Sequence, residues 1–141
     1  MTVNQIVDKK GSQVYAVMPN ITVYEALKVM GEKNIGAILI IENDVLKGIL
    51  SERDYARKIV LKDKTSRNTL VHEIMETELT PVKPSDTIEY CMELMSSKRM
   101  RHLPVLNNNT VIGIISIGDV VQAIIEIQKN TIEQLNSYIT Q

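Results

Sequence analysis

Arg101-His102-Leu103-Pro104-Val105 and, a few residues on, Gly113-Ile114-Ile115-Ser116-Ile117-Gly118-Asp119 decide how this chain reads. Val105-Leu106 and Val111 to Ile115 are short apolar runs rich in β-branched residues, and Asn107-Asn108-Asn109 between them is turn chemistry. The stretch therefore predicts a strand, a tight turn, a second strand and the start of a helix. Ser116 closes the second strand and Asp119 falls in the first turn of the helix. A hydroxyl and a carboxylate three residues apart at such a junction can face one ligand, and the free N–H groups of the helix start favour an anionic group nearby.

Working outward, the same pattern occurs earlier, as Gly48-Ile49-Leu50-Ser51-Glu52-Arg53-Asp54, at an offset of 65 residues (113 minus 48). The register holds without a gap from Tyr15 to Val60 against Thr80 to Ile125, with identities at Val17/Val82, Pro19/Pro84, Thr22/Thr87, Met30/Met95, Gly48/Gly113, Ser51/Ser116 and Asp54/Asp119 among others. An ungapped repeat of this length marks two copies of one unit.

With 141 residues the chain is one compact domain or two fused half-domains. Its hydrophobic fraction of 44% suffices for a core, and the absence of Phe and Trp makes that core aliphatic and rich in Met. A net charge of -1, with both signs interspersed, excludes the basic excess of a nucleic-acid binder. The single Cys91 forbids an internal disulfide and suits a reducing compartment. No apolar run reaches the roughly 18 residues of a membrane span, and Met1 to Gly11 lacks the apolar core of a signal peptide. The expected location is the cytoplasm of a prokaryote-like cell, with no membrane or nucleic-acid partner.

In chain order, Val3 to Lys9 reads as a short helix stopped by Gly11, and Val14 to Val17 as a short strand. Thr22, with Glu25 three residues later, predicts a capped helix to about Lys33. Ala37 to Ile41 and Val45 to Leu50 read as hairpin strands around Glu42-Asn43-Asp44, with a helix from Ser51 to about Leu61. Lys62 to Thr69 is a polar linker, and Val71 to Met75 a short helical turn. The second copy repeats the order: a strand over Leu79 to Val82, a helix from Ile88 to about Lys98 capped by Asp86 or Thr87, a hairpin, and a helix from Gly118. That last helix meets no breaker before about Tyr138. Its residues Val121, Ile125, Gln128, Ile132, Leu135 and Ile139 fall at heptad-like spacing. The seam fits a helical dimer contact; a fold-back onto its own domain, or a break near Asn130, is the alternative.

The expected fold is mixed α/β (α+β): two tandem β-α-β-β-α units related by a pseudo-two-fold axis, with a long C-terminal helix. The division along the chain is residues 1–68, with the N-terminal helix and linker, and residues 69–141, with the extended helix. Packing the two sheets face to face would create two symmetry-related clefts, each lined by a strand-to-helix junction.

These residues resemble the CBS domain, and the tandem repeat resembles a CBS pair, or Bateman module. The resemblance rests on the Gly-apolar-apolar-Ser-x-x-Asp ending of each copy, the Arg-His-Leu-Pro-Val strand and the Thr-capped helix after an x-Pro turn, and it covers about residues 10 to 127. It implies a stand-alone, non-catalytic regulatory module for signal transduction or energy sensing that binds an adenosine-containing ligand. AMP, ADP, ATP or NAD is expected, with S-adenosylmethionine behind them and no metal beyond nucleotide-associated Mg. It implies a homodimer as well, and an effector protein still to be identified. Residue by residue, Asp54 and Asp119 match the ribose-binding carboxylate, and Ser51 and Ser116 the neighbouring hydroxyl that contacts ribose or phosphate. Arg101 and His102 match positions that reach phosphate, with Arg53 a further candidate. Tyr15, Thr80, Gly36, Met100, Ile49 and Ile114 match positions lining the adenine pocket.

Each assignment has a plainer counterpart. Asp54 and Asp119 also suit helix N-termini as dipole-stabilising carboxylates, and Ser51 and Ser116 also suit N-caps. Arg53 is equally suited to a surface ion pair with Glu52 or Asp54. Cys91 reads as a buried small thiol, His72 as a surface residue without metal-ligand company, and Met30, Met92 and Met95 as core. The copies are unequal: Gly36-Ala37 stands where the second has Arg101-His102, and Arg53 where it has Gly118. No nucleophile–base pair, phosphate-cradling Gly-rich loop or paired metal ligands suggest an enzyme. A structural dimerisation module without a physiological ligand is the alternative reading.

Overall fold

Two β-hairpins, closed by paired residues in the left-handed region, carry the architecture. The computed structural model describes residues 1–11 and 13–140. Helix α1 (Val3–Lys10) is followed by strand β1 (Ala16–Val17), helix α2 (Val23–Lys33) and the hairpin β2 (Ala37–Glu42) and β3 (Val45–Ser51). A short α3 (Glu52–Asp54) and α4 (Val71–Ile74) come next, then α5 (Ile88–Lys98), the hairpin β4 (His102–Asn107) and β5 (Thr110–Ser116), and α6 (Ile117–Thr140). Asn43 and Asp44 turn the first hairpin at φ 52 and 62°, Asn108 and Asn109 the second at φ 52 and 68°. Asn and Asp tolerate this conformation, and it matches the twist of the flanking strands.

The repeat persists in backbone detail. Register shifts fall between Ile40 and Ile41 and, 65 residues on, between Val105 and Leu106. Thr22 and Thr87 cap α2 and α5 by accepting from the Glu25 and Tyr90 N–H groups, so Thr87 and not Asp86 is the cap. Asn34 and Arg99 end those helices at φ 55 and 54°. The buried side chains correspond in pairs: Val23 and Ile88, Ala26 and Cys91, Met30 and Met95, Ile38 and Leu103, Leu50 and Ile115.

The chain gathers into two units. Val14–Thr80 form one; Met1–Gln13 with the chain from Pro81 onward form the other. Helix α1 therefore completes the core of the second copy, burying Val3 and Ile6 against it, while α4 buries Val71 and Ile74 in the first. Matching backbone bonds hold each helix. The Val3 and Asn4 N–H groups donate to the Asp86 and Pro84 carbonyls, and those of Val71 and His72 donate to Ile21 and Pro19. The contacts thus group the segments differently from the 1–68 and 69–141 division read along the chain, because each copy needs two apolar side chains from a helix that does not adjoin its sheet in sequence.

Two expected elements differ. No strand forms over Leu79 to Val82; Val82 alone bridges Val105, whereas β1 pairs with β2 at two positions. A proline accounts for the difference: Leu39 N–H donates to the Tyr15 carbonyl in the first copy, and its counterpart Pro104 has no N–H to give. The second copy's sheet is accordingly two-stranded. The regular helix expected from Ser51 to Leu61 is instead a single turn followed by a π-helical segment, Tyr55–Ile59, and a 3₁₀ turn, Val60–Lys62. The long last helix is present as expected: α6 is one helix of 24 residues, without the break near Asn130 that was the alternative. No helix among the described residues is long and apolar enough to cross a membrane.

Candidate functional site

Each hairpin delivers its last serine to the start of a helix. In the second copy the Ile117 N–H donates to the Arg101 carbonyl (2.8 Å), and His102 pairs with Ser116 across the ladder. Arg101, His102, Ser116 and Asp119 are thereby gathered at one end of β4 and β5. The first copy makes the same closure with Glu52 N–H on the Gly36 carbonyl (3.0 Å) and Ala37 opposite Ser51. Chain geometry is equal; the adjacent Arg-His pair exists only in the second copy, where the first has Gly36-Ala37.

Within each junction the serine and the aspartate hold one another. Asp119 Oδ2 accepts from the Ser116 N–H (2.8 Å), and Ser116 Oγ accepts from the Asp119 N–H (3.1 Å). Asp54 Oδ2 accepts from both the N–H and the Oγ of Ser51 (3.0 Å each), and its own N–H donates back to Ser51 Oγ (3.1 Å). This is a reciprocal capping arrangement. The serines thus cap as foreseen, and each aspartate lies in the first turn of its helix.

A lysine sits on each carboxylate, and neither lysine was singled out from sequence. Lys10, at the end of α1, donates to Asp119 Oδ2 and to the Ile114 carbonyl (2.8 Å each). Lys58 lies 3.2 Å from Asp54 Oδ1 and donates to the Ile74 carbonyl at 2.8 Å. The Lys58 contact is an i,i+4 pair whose spacing was legible; Lys10 is 109 positions from its partner, with no local signal. Among the described residues Asp119 Oδ1 takes no protein hydrogen bond. A carboxylate with spare lone pairs can still accept from a sugar hydroxyl. Asp119 and Lys10 also border a cavity of about 170 Å³ between α1 and α6, floored by Ile6 and Ala123. That is below the roughly 300 Å³ at which small-molecule pockets begin.

The remaining candidates divide between the two units. Tyr15, Gly36, Ser51, Arg53, Asp54 and Thr80 belong to Val14–Thr80; Met100, Arg101, His102, Ile114, Ser116 and Asp119 belong to the other. Tyr15 packs on the core of its unit with the Lys33 ammonium 5.4 Å from its ring centre. Gly36 and Arg53 are exposed and Thr80 is half-buried. Met100 packs on the second core, Ile114 pairs with Pro104, and Ile49 is buried and bridged to Glu76. Among the described residues no group of His, Cys, Asp and Glu is arranged to hold a metal ion.

A duplicated hairpin ending in a Ser-x-x-Asp junction, twice completed by a helix from elsewhere in the chain, defines a tandem repeat of one small mixed α/β unit. The family model of the CBS domain matches residues 4–61 and 71–126, and the chain belongs to that family. It is 41% identical over 123 residues to the mitochondrial CBS domain-containing protein CBSX3 of Arabidopsis thaliana, covering 84% of this chain and 60% of that protein's length. It is 36% identical over 116 residues to the CBS domain-containing protein YhcV of Bacillus subtilis, covering 82% of each. Among solved structures, a putative signal-transduction protein with CBS domains from Burkholderia ambifaria superimposes with a TM-score of 0.85 at 47% identity, covering 89% of this chain and 95% of that one. Two more distant structures share the fold: the CBS pair of MJ0100 with 5-methylthioadenosine and S-adenosyl-L-methionine (22% identity, TM-score 0.76), and a Pyrobaculum aerophilum protein with AMP (19%, 0.74).

Proposed function

We propose that this chain is a non-catalytic sensor that binds an adenosine-containing ligand and relays its level through a change in shape or in contact with a second copy. The observation that carries the reading is the second copy's junction, where Ser116, Asp119, Arg101 and His102 meet at one end of a hairpin. Asp119, with Asp54 in the first copy, accepts from the ribose hydroxyls, and Ser116 and Ser51 bond ribose or phosphate. In the unit that holds Asp119, Arg101 and His102 meet phosphate, and Met100 and Ile114 line adenine; in the unit that holds Asp54, Arg53 meets phosphate, and Tyr15, Gly36 and Thr80 line adenine. The ligand is AMP, ADP, ATP or NAD ahead of S-adenosylmethionine, and the second copy's set is the better phosphate site because it alone carries the cationic pair. The family-fold neighbours solved with AMP and with S-adenosyl-L-methionine support the adenosine class. The protein works in the cytoplasm as a homodimer, passing its state to an effector protein. Relay requires that the ligand prefer one of two states.

The test is a thermal-shift panel of AMP, ADP, ATP, NAD, NADH and S-adenosylmethionine, each with and without Mg²⁺. A ligand at about 100 times its dissociation constant adds roughly 2.7 kcal/mol. That corresponds to a midpoint shift of about 5–10 °C for a chain of this size. Asp119→Ala should abolish the shift while leaving the fold intact. The second reading, a structural dimerisation module, is favoured by one observation: both carboxylates already cap helices and hold lysines. No shift with any ligand, from folded protein free of co-purified nucleotide, would select it.

A further inference from the structure

The first two turns of α6 belong to the core and the rest of it does not. Val120 and Ala123 are buried and Ile124 packs against the core, but from Gln128 to Ile139 every residue is exposed. A helical stretch of this length exposed on all sides is marginal in water. Yet its apolar side chains are not scattered. Ile125, Ile132 and Ile139 recur every seven residues, and so do Val121, Gln128 and Leu135. Val121 and Ile125 are 43% exposed, Ile132 and Leu135 57%, and Ile139 78%. The seam begins on the outer side of the packed turns and runs on along the unsupported ones.

The occupants of the seam say what covers it. One register position holds isoleucine throughout, and the other holds Val121, Gln128 and Leu135. Isoleucine fills every a position of the seam, and where leucine stands at d, as Leu135 does, that combination favours two parallel strands. Gln128 discriminates further. Buried against a purely apolar groove its amide would lose its hydrogen bonds, whereas opposite the Gln128 of an in-register second copy each amide has a donor and an acceptor to meet. Because the two amides meet only when the copies are aligned, Gln128 favours that one alignment. The flanking positions Gln122, Ile124, Lys129, Thr131, Asn136 and Tyr138 carry a single charge, so parallel pairing brings no like charges together.

We propose that α6 forms a parallel, in-register two-stranded coiled coil with a second copy of this chain. This deepens the homodimer part of the function proposed above. Sedimentation of the full chain between about 5 and 200 μM should give the mass of two 15.9 kDa chains. Ile132→Glu with Leu135→Glu, both at exposed positions, should weaken association at least 100-fold while leaving the thermal unfolding of the core in place. On a Cys91→Ala background, Ile139→Cys should oxidise readily to an interchain disulfide, since equivalent seam positions face each other only in the parallel arrangement. A dimer that survives the double substitution overturns the coiled coil but leaves the homodimer reading standing. A monomeric wild-type chain overturns both. A three-chain mass, or a dimer that fails to crosslink at position 139, overturns the parallel two-stranded arrangement.

Discussion

Lys10 Nζ lies 2.8 Å from Asp119 Oδ2, joining the last turn of the first helix to the first turn of the last one. The pair is partly solvated, with the lysine side chain 40% and the aspartate 23% exposed, so its attraction is screened. Asp119 has a second task that Lys10 lacks, accepting from the Ser116 N–H as part of the cap. Lys10→Met should therefore lower stability by no more than about 1 kcal/mol. Asp119→Ala, which removes pair and cap together, should cost about 1–2 kcal/mol. Urea unfolding of both variants checks the order, and equal losses would place the effect in the ion pair alone.

The two corresponding hairpin glycines should respond oppositely to the same substitution. A Cβ on Gly48 would stand 2.8 Å from the Glu76 carbonyl oxygen and from Met75 Sδ. The Glu76 backbone cannot retreat freely, because it exchanges both its bonds with Ile49. A Cβ on Gly113 would meet nothing closer than Val7 Cγ2 at 3.7 Å, an ordinary contact. Gly48→Ala should destabilise by about 1–3 kcal/mol. Gly113→Ala should be neutral or slightly stabilising, since alanine loses less freedom in a strand. Thermal midpoints separated by several degrees would bear this out, and similar midpoints would contradict it.

What the sequence disclosed was local or repeated. Asn43-Asp44 and Asn108-Asn109 announce their hairpins through backbone preference, and Thr22 and Thr87 announce helix starts. The Ser-x-x-Asp junctions were legible because they recur at a fixed offset in one structural context. What remained hidden depends on non-local contact. Lys10 carries no mark of Asp119, and Val3 and Ile6 look like the front of the first copy until they are found in the core of the second. The missing strand at Leu79 to Val82 lies between these cases. Pro104 is visible in the sequence, but only the pairing of Val82 with Val105 shows which ladder it interrupts.

The exchange of α1 and α4 makes a paired prediction. Ile6 is 5% exposed in the core completed by α1, and Ile74 is 3% exposed in the core completed by α4. Ile6→Ala and Ile74→Ala each remove most of a buried side chain and should cost about 2–5 kcal/mol apiece. Amide hydrogen exchange should separate them: Ile6→Ala should loosen β4 and β5 first, and Ile74→Ala should loosen β2 and β3. If Ile6→Ala instead loosened the first copy's hairpin, the placement of α1 would be wrong.

Cys91 is fully buried in α5, and burial, assisted by the negative charge of Asp86, pushes its thiol from 9.0 up to about 11. Between those values the unfolded chain ionises the thiol and the folded chain keeps it protonated. The unfolded state then binds fewer protons, so this group's contribution to stability is whole below pH 9 and is lost progressively as pH rises towards 11. The full loss is on the order of 2–3 kcal/mol. Denaturant unfolding from pH 8 to 10.5 should show a steeper decline for the wild type than for Cys91→Ala, which has no thiol to ionise. The same burial protects the sulfur kinetically. Iodoacetamide at pH 8 should label the protein in denaturant and leave the folded chain nearly untouched, whereas rapid labelling of the folded chain would show that the thiol is neither shielded nor held protonated.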